Sequence, residues 1–195
     1  MEMALDLNSY QTVGRGPWKV PAMGLGCVFL GDPFGPSDEA EMQETLATAW
    51  EEGIRYFDTA PWYGNTKSEH RLGYFLRQRS QGEFTVSTKV GRTYGRPEDI
   101  EAFRKSKWVE RWKGGLEFDL AFDYTGDAVR RSYEDSLNRM GLNTVDALAI
   151  HDLDLKHHGD WDTVTHYLNQ LSNEGGYKAL RDLKDNGEIQ AIGVG

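Results

Sequence analysis

The chain has 195 residues, enough to bury one good core, and its length favours a single domain. Acidic residues outnumber basic ones by 31 to 22, a net charge of -9 that argues against a nucleic-acid binder, which needs a basic face. No apolar run approaches the roughly 20 residues of a membrane span, so no membrane partner is expected.

Met1–Asn8 is acidic and lacks an apolar h-region, so no secretory signal is expected. Gln11–Pro21, rich in Gly and Pro, reads as a turn or small hairpin. Pro21–Cys27 follows as a short apolar run and the first core strand, with glycines that allow close backbone approach. Cys27 is the lone cysteine, which rules out an intramolecular disulfide and suits a reducing compartment, so a cytoplasmic protein is expected. Gly31–Pro36 is loop. Ser37 is placed to cap a helix whose first turn holds Asp38, Glu39 and Glu41, acids suited to the positive end of the helix dipole. Met42, Leu46, Ala49 and Trp50 recur on one face of it, and Gly53 supplies the stop. The strand Ile54–Phe57 comes next and ends at Asp58. A second helix over Ser68–Arg79 carries Leu72, Phe75 and Leu76 inward, and the strand Phe84–Thr88 ends at Lys89.

Val90–Thr125 is a long interruption. Pro97–Lys107 reads as a short helix. Leu116, Phe118, Leu120, Phe122 and Tyr124 alternate with Glu117, Asp119, Ala121 and Asp123, the period of a half-buried strand. Connections longer than about 15 residues are usually functional or disordered. The aromatic alternation, with Trp108 and Trp112, favours an ordered flap in which Trp108 or Trp112 contacts substrate or shields the site. Asp127 is the expected cap of the third helix, with Val129, Tyr133, Leu137 and Met140 inward and Gly141 ending it. The strand Val145–Ile150 ends in His151-Asp152. His157-His158 read as surface, and no metal site is expected. Helices over Trp161–Leu171 and Tyr177–Asp185 precede a fifth strand, Ile189–Val194.

Strands alternating with helices give a parallel α/β fold. In a (β/α)8 barrel the chemistry sits at the C-terminal strand ends. Asp58, Tyr63, Lys89 and His151 lie at or just past such ends. Singly each has a plain structural reading: a turn residue, a half-buried aromatic, a solvated strand end, a satisfied core histidine. Together, at one end of three adjacent strands, they make a coherent proton-transfer device. A phenol with a pKa near 10 is a poor acid at neutral pH, but a nearby ammonium favours its phenolate and a carboxylate holds that ammonium in place. Tyr63 is then a general acid for a carbonyl oxygen, or in reverse a general base for an alcohol, and His151 orients the same oxygen.

These residues resemble the aldo-keto reductase superfamily in Asp58-Thr-Ala-x-x-Tyr63-Gly, Ser68-Glu69 with Leu72-Gly73, Ser87-Thr-Lys89 and Ile150-His151-Asp. The likeness runs from about Pro21 to Gly195. Gly114-Gly115-Leu116, Phe122-Asp123-Tyr124, His151-Asp152-Leu153-Asp154 and Gly176-Tyr177-Lys178-Ala179-Leu180 place it nearest the D-threo-aldose (L-fucose type) 1-dehydrogenase and pyridoxal 4-dehydrogenase branch. The resemblance implies a catalytic tetrad of Asp58, Tyr63, Lys89 and His151, and hydride exchange with NADP or NAD. It also implies cofactor contacts at Cys27 and Asp58, substrate contacts at Trp62, Trp108 and Trp112, and a small-molecule carbonyl or sugar substrate. Residues 1–195 then correspond to the N-terminal part of one barrel domain, an incomplete (β/α)8 TIM barrel of about five parallel strands with their helices, with 90–125 as a long βα-loop insertion. The first and fifth strands are expected to keep free edges, with Leu25 and Val194 among their inward residues. On this reading the chain is inactive alone, and the alternative is a non-catalytic fragment or interaction module that retains the tetrad.

Overall fold

The computed structural model describes residues 9–14 and 16–195, so the expectation for Met1–Asn8 lies outside the described residues. A small antiparallel hairpin comes first, β1 Tyr10–Thr12 against β2 Lys19–Pro21. The first core strand is shorter than expected: β3 is Leu25–Gly26, and Cys27–Gly31 turns at once into a 3-10 segment. Helix α1, Glu39–Glu51, is capped by Asp38 rather than Ser37, the Asp38 carboxylate accepting from the amides of Ala40 and Glu41. Strand β4, Tyr56–Asp58, leads through a tight turn into α2, Lys67–Leu76, and then β5, Thr85–Val90.

The long connection is ordered. It holds β6 Arg92–Gly95, two short helices, α3 Ile100–Arg104 and α4 Lys107–Arg111, and then β7 Asp119–Phe122, which pairs antiparallel with β6. Helix α5, Gly126–Met140, is capped by the Thr125 hydroxyl rather than by Asp127, and Gly141 ends it with φ of 63°. Strand β8, Ala147–Ile150, is followed by a single turn, α6 Leu155–His158. Helices α7 Trp161–Asn173 and α8 Gly176–Asp185 then lead to β9, Ala191–Val194.

The five core strands form one parallel sheet in the order β3-β4-β5-β8-β9, open at β3 and β9. Register partners in a parallel sheet share a face, and successive residues alternate. Tyr56, Asp58, Ser87, Lys89, Ala147, Ala149, Ala191 and Gly193 therefore line one face. Phe57, Val86, Leu148 and Ile150 line the other, where they pack with Leu46, Leu72, Leu76, Val129, Leu180 and Leu183 from the helices. Leu25 is the partner of Phe57, and Val194 that of Ile150, so both belong to the helix face. The expectation that they point inward is corrected by one step of strand parity. The first face is closed at its N-terminal end by the hairpin, where Trp18 and Val20 pack on Ala147, Tyr56 and Ala191.

Helices α2 and α5 meet backbone to backbone at Gly73. The contact is reinforced by Glu69, fully buried, which accepts from Thr88 Oγ1 at 2.7 Å and from Arg139 Nε at 2.6 Å. A Cβ at Gly73 would overlap the Met140 backbone, whereas one at Gly82 would meet nothing within 4 Å. Gly73→Ala is therefore expected to lower stability in urea unfolding by about 1–3 kcal/mol, the usual scale of overpacking. Gly82→Ala is expected to stay within about 0.5 kcal/mol of the parent.

Candidate active site

The C-terminal ends of β4, β5 and β8 bring Asp58, Lys89 and His151 to one edge of the sheet, and the turn after β4 adds Tyr63. That turn is short because Gly64 adopts φ of 69° and lies directly on the Gly31 backbone. It is pinned into α2 by the Ser68 amide, which donates to the Tyr63 carbonyl at 3.0 Å.

The Lys89 side chain is nearly buried, and its ammonium meets Asp58 Oδ2 at 2.7 Å and the Thr59 carbonyl at 2.8 Å. It also lies 4.9 Å from the centre of the Tyr63 ring. Burial opposes the charge, but Asp58 and Tyr63 outweigh it and hold the Lys89 ammonium above the usual lysine range. The other Asp58 oxygen accepts from Ser87 Oγ at 2.5 Å, and Ser87 Oγ lies 2.9 Å from the Tyr56 hydroxyl. A carboxylate paired with an ammonium only accepts, so the single Ser87 proton points at Asp58 and the Tyr56 hydroxyl must donate to Ser87. The result is a directed row, Tyr56 to Ser87 to Asp58, that closes on Lys89. Tyr56 and Ser87 escaped the sequence reading as site residues. Their signal was the two-residue spacing to Asp58 and Lys89, which places all four on one face.

His151 is buried, 5.9 Å from Tyr63 between ring centres. Burial, with the positive charges of Arg92 and Lys89 and the neighbouring His157 ring behind it, pushes its pKa down to about 2, so the imidazole is neutral at physiological pH. Its backbone carbonyl is held by the Tyr124 hydroxyl at 2.7 Å. Asp152 turns with φ of 50° and is paired to the buried Arg92 at 2.7 Å. His157 is not the free surface residue expected: it is half-buried, 2.9 Å from Asp154 and 3.5 Å from Asp152. Asp152, Asp154 and His157 offer ligand atoms within 4.8 Å of one another. That cluster is already satisfied internally, since Arg92 takes Asp152 and Asp154 caps α6.

The aromatic residues divide. Trp112 is buried and packs on Trp62 at 5.6 Å and Tyr63 at 6.0 Å. Trp62 is enclosed by Trp112, His151, His157 and the Arg92 guanidinium. Trp108 is not brought to this group; it sits against Phe122 within the long connection. The Cys27 side chain is also withdrawn. It is fully buried in the core, its thiol 3.5 Å from the Leu25 carbonyl, and burial raises its pKa well above the thiol range. It presents no surface to a cofactor. Among the described residues, the wall beside Lys89 on the β8 and β9 side carries the small residues Ala149, Gly193 and Gly195.

The sequence model of the Aldo/keto reductase family matches residues 22–195. The chain belongs to that family. It is 37% identical over 197 residues to pyridoxal 4-dehydrogenase of Microbacterium luteolum, covering 99% of this chain and 57% of that protein. It is 35% identical over 186 residues to D-threo-aldose 1-dehydrogenase of a Pseudomonas species, covering 90% of this chain and 50% of the relative. A solved structure from Pseudomonas aeruginosa, assigned as an aldo-keto reductase, superposes with a TM-score of 0.66 at 28% identity, over 96% of this chain and 59% of the other. The chain thus spans about half the length of the curated relatives it matches. The open five-stranded sheet is an incomplete version of the family barrel. No helix among the described residues is long and apolar enough to cross a membrane.

The neutral state of His151 in this aldo/keto reductase chain has a consequence for stability. The unfolded histidine binds a proton below about pH 6.5 while the folded one does not, so stability is full above that pH and falls as pH drops below it. Urea unfolding is expected to weaken on acidification more steeply for the parent than for His151→Gln, by up to about 1.4 kcal/mol per pH unit. Parallel slopes from pH 6.5 to 5 would show a folded imidazole that protonates normally.

Proposed function

We propose that the protein is an NAD(P)-dependent oxidoreductase interconverting an aldose and its lactone, or an aldehyde and its alcohol, with Tyr63 as the general acid and base. The observation that carries this reading is the Lys89 ammonium, buried between Asp58 and the Tyr63 ring. In carbonyl reduction the Tyr63 hydroxyl gives its proton to the substrate oxygen, and in alcohol oxidation the phenolic oxygen takes one. Lys89 supplies positive charge to the phenolic oxygen as negative charge develops there, and Asp58 with Thr59 keeps the ammonium on that side. Neutral His151 orients the reacting oxygen by hydrogen bonding. Residues 22–195 belong to one barrel domain, and 90–125 is its flap.

The small residues Ala149, Gly193 and Gly195 leave room for a flat ring laid beside Lys89, so Asp58 would border a nicotinamide there. When bound, a nicotinamide dinucleotide supplies a two-electron acceptor or donor of hydride. Trp62 and Trp112 form the substrate wall. The activities named for the pyridoxal and D-threo-aldose dehydrogenase relatives support the same substrate class.

In the active enzyme, Tyr63→Phe is expected to lower turnover about 10²–10⁴-fold, the usual contribution of a positioned acid or base. Dinucleotide affinity, read by nicotinamide fluorescence, should stay within about twofold because Tyr63 serves the proton and not the cofactor. A variant that keeps a third of the parent turnover would remove Tyr63 from this role.

A further inference from the structure

The arm of the long connection that carries Trp112, residues 112–116, is seated on two loops of the sheet edge. The Gly114 amide donates to the Asp32 carbonyl at 3.1 Å, and the Leu116 amide donates to the Gly64 carbonyl at 2.9 Å. Two side chains reach the arm's carbonyls. Lys67 Nζ donates to Gly114 O at 2.9 Å, and Asn65 Nδ2 donates to Leu116 O at 3.2 Å. The same Lys67 ammonium also meets Asp32 Oδ2 at 2.7 Å.

Asp32 is the fixed point of this arrangement. It is buried with φ of 56°, and Arg71 Nη1 holds its other oxygen at 2.6 Å while also donating to the Leu30 carbonyl. Arg71 is clamped in turn by Glu39. Lys67 carries that rigidity from Asp32 to the arm.

The local setting of Lys67 argues that this link is not incidental. It is the first residue of α2, where the helix dipole disfavours a cation, and Thr66 before it makes no side-chain cap and takes φ of 82°. Helix α2 thus begins without a side-chain cap, and its first side chain, mostly buried, reaches Asp32 and Gly114. The turn that precedes it carries Tyr63. One residue therefore joins the Tyr63 turn, the loop after β3 and the Trp112 arm.

We infer that Lys67 is a positioning residue that seats the Trp112 arm on the Tyr63 turn and so fixes the aromatic wall over the strand ends. Its consequence for specificity rests on the catalytic reading of Tyr63; the placement itself does not. The test is 19F NMR of the 195-residue chain carrying 5-fluorotryptophan, with the Trp112 signal assigned by its loss in Trp112→Phe. In Lys67→Met the Trp112 signal is expected to shift and broaden, while Trp18 and Trp50, packed on Tyr56 and Phe57, stay in place. Amide exchange at Gly114 and Leu116 should rise at least tenfold, and Lys67→Arg, which keeps the charge and donors, should restore most of the parent spectrum. Should Lys67→Met fail to fold, Lys67→Gln decides: it keeps a polar stem but lacks the ammonium that reaches both Asp32 and Gly114, and it should move the same Trp112 signal. An unmoved Trp112 signal with unchanged exchange in the folded variants would overturn the inference. None of these readouts depends on turnover, so a failed Tyr63→Phe test would leave this result standing.

Discussion

A lysine ammonium buried at a strand end is stable only where other groups replace its water. Here Lys89 has Asp58 and the Thr59 carbonyl, both from the neighbouring strand or the residue just beyond it. That requirement reaches outward through the structure. Asp58 must be in register beside Ser87, which fixes β4 against β5. Thr59 must hold its carbonyl inward, and its hydroxyl is tied 2.9 Å from Ser68 Oγ, which itself donates to the Cys27 carbonyl. Three strands and the start of α2 are thus drawn together around one charge. Asp58 keeps a good part of its surface in contact with solvent, so the pair is half-screened, and its worth lies more in placement than in stabilisation.

Much of this was legible in the sequence because the deciding signals were local. Leu72, Phe75 and Leu76, and Val129, Tyr133 and Met140, fall at helical spacing and are all buried. The sites where strands end in charge, Asp58 and Lys89, could be read from short β-prone runs. The caps were misplaced by one or two residues because Ser37 and Asp38, and likewise Thr125 and Asp127, offer competing oxygens close together. Only the backbone angle decides which of them faces the open amides.

What could not be read depended on geometry beyond a single element. Trp108 and Trp112 are four apart, a spacing that in a continuous helix puts both on one side. Helix α4 stops at Arg111, and Trp112 leaves it with φ of -126° and ψ of 75°, so the two indoles part company. His157 has a local partner in Asp154, three residues earlier and the cap of the same turn; Asp152 reaches it only because the chain folds back through the unusual angle there. Cys27 sits one residue past a strand end, as a ligand contact would, but the chain coils there and carries the thiol inward.

The row of hydroxyls from Tyr56 to Asp58 links the two ends of the sheet. Tyr56 rests edge-on against Trp18 of the N-terminal hairpin, at 6.3 Å between ring centres. Because Ser87 has one proton and Asp58 claims it, the Tyr56 hydroxyl has a single permitted orientation. The hairpin and the charged rim are therefore joined through two residues of pleat. The packing of the closed end thus sets, through Tyr56 and Ser87, the hydrogen bond received by the carboxylate beside Lys89.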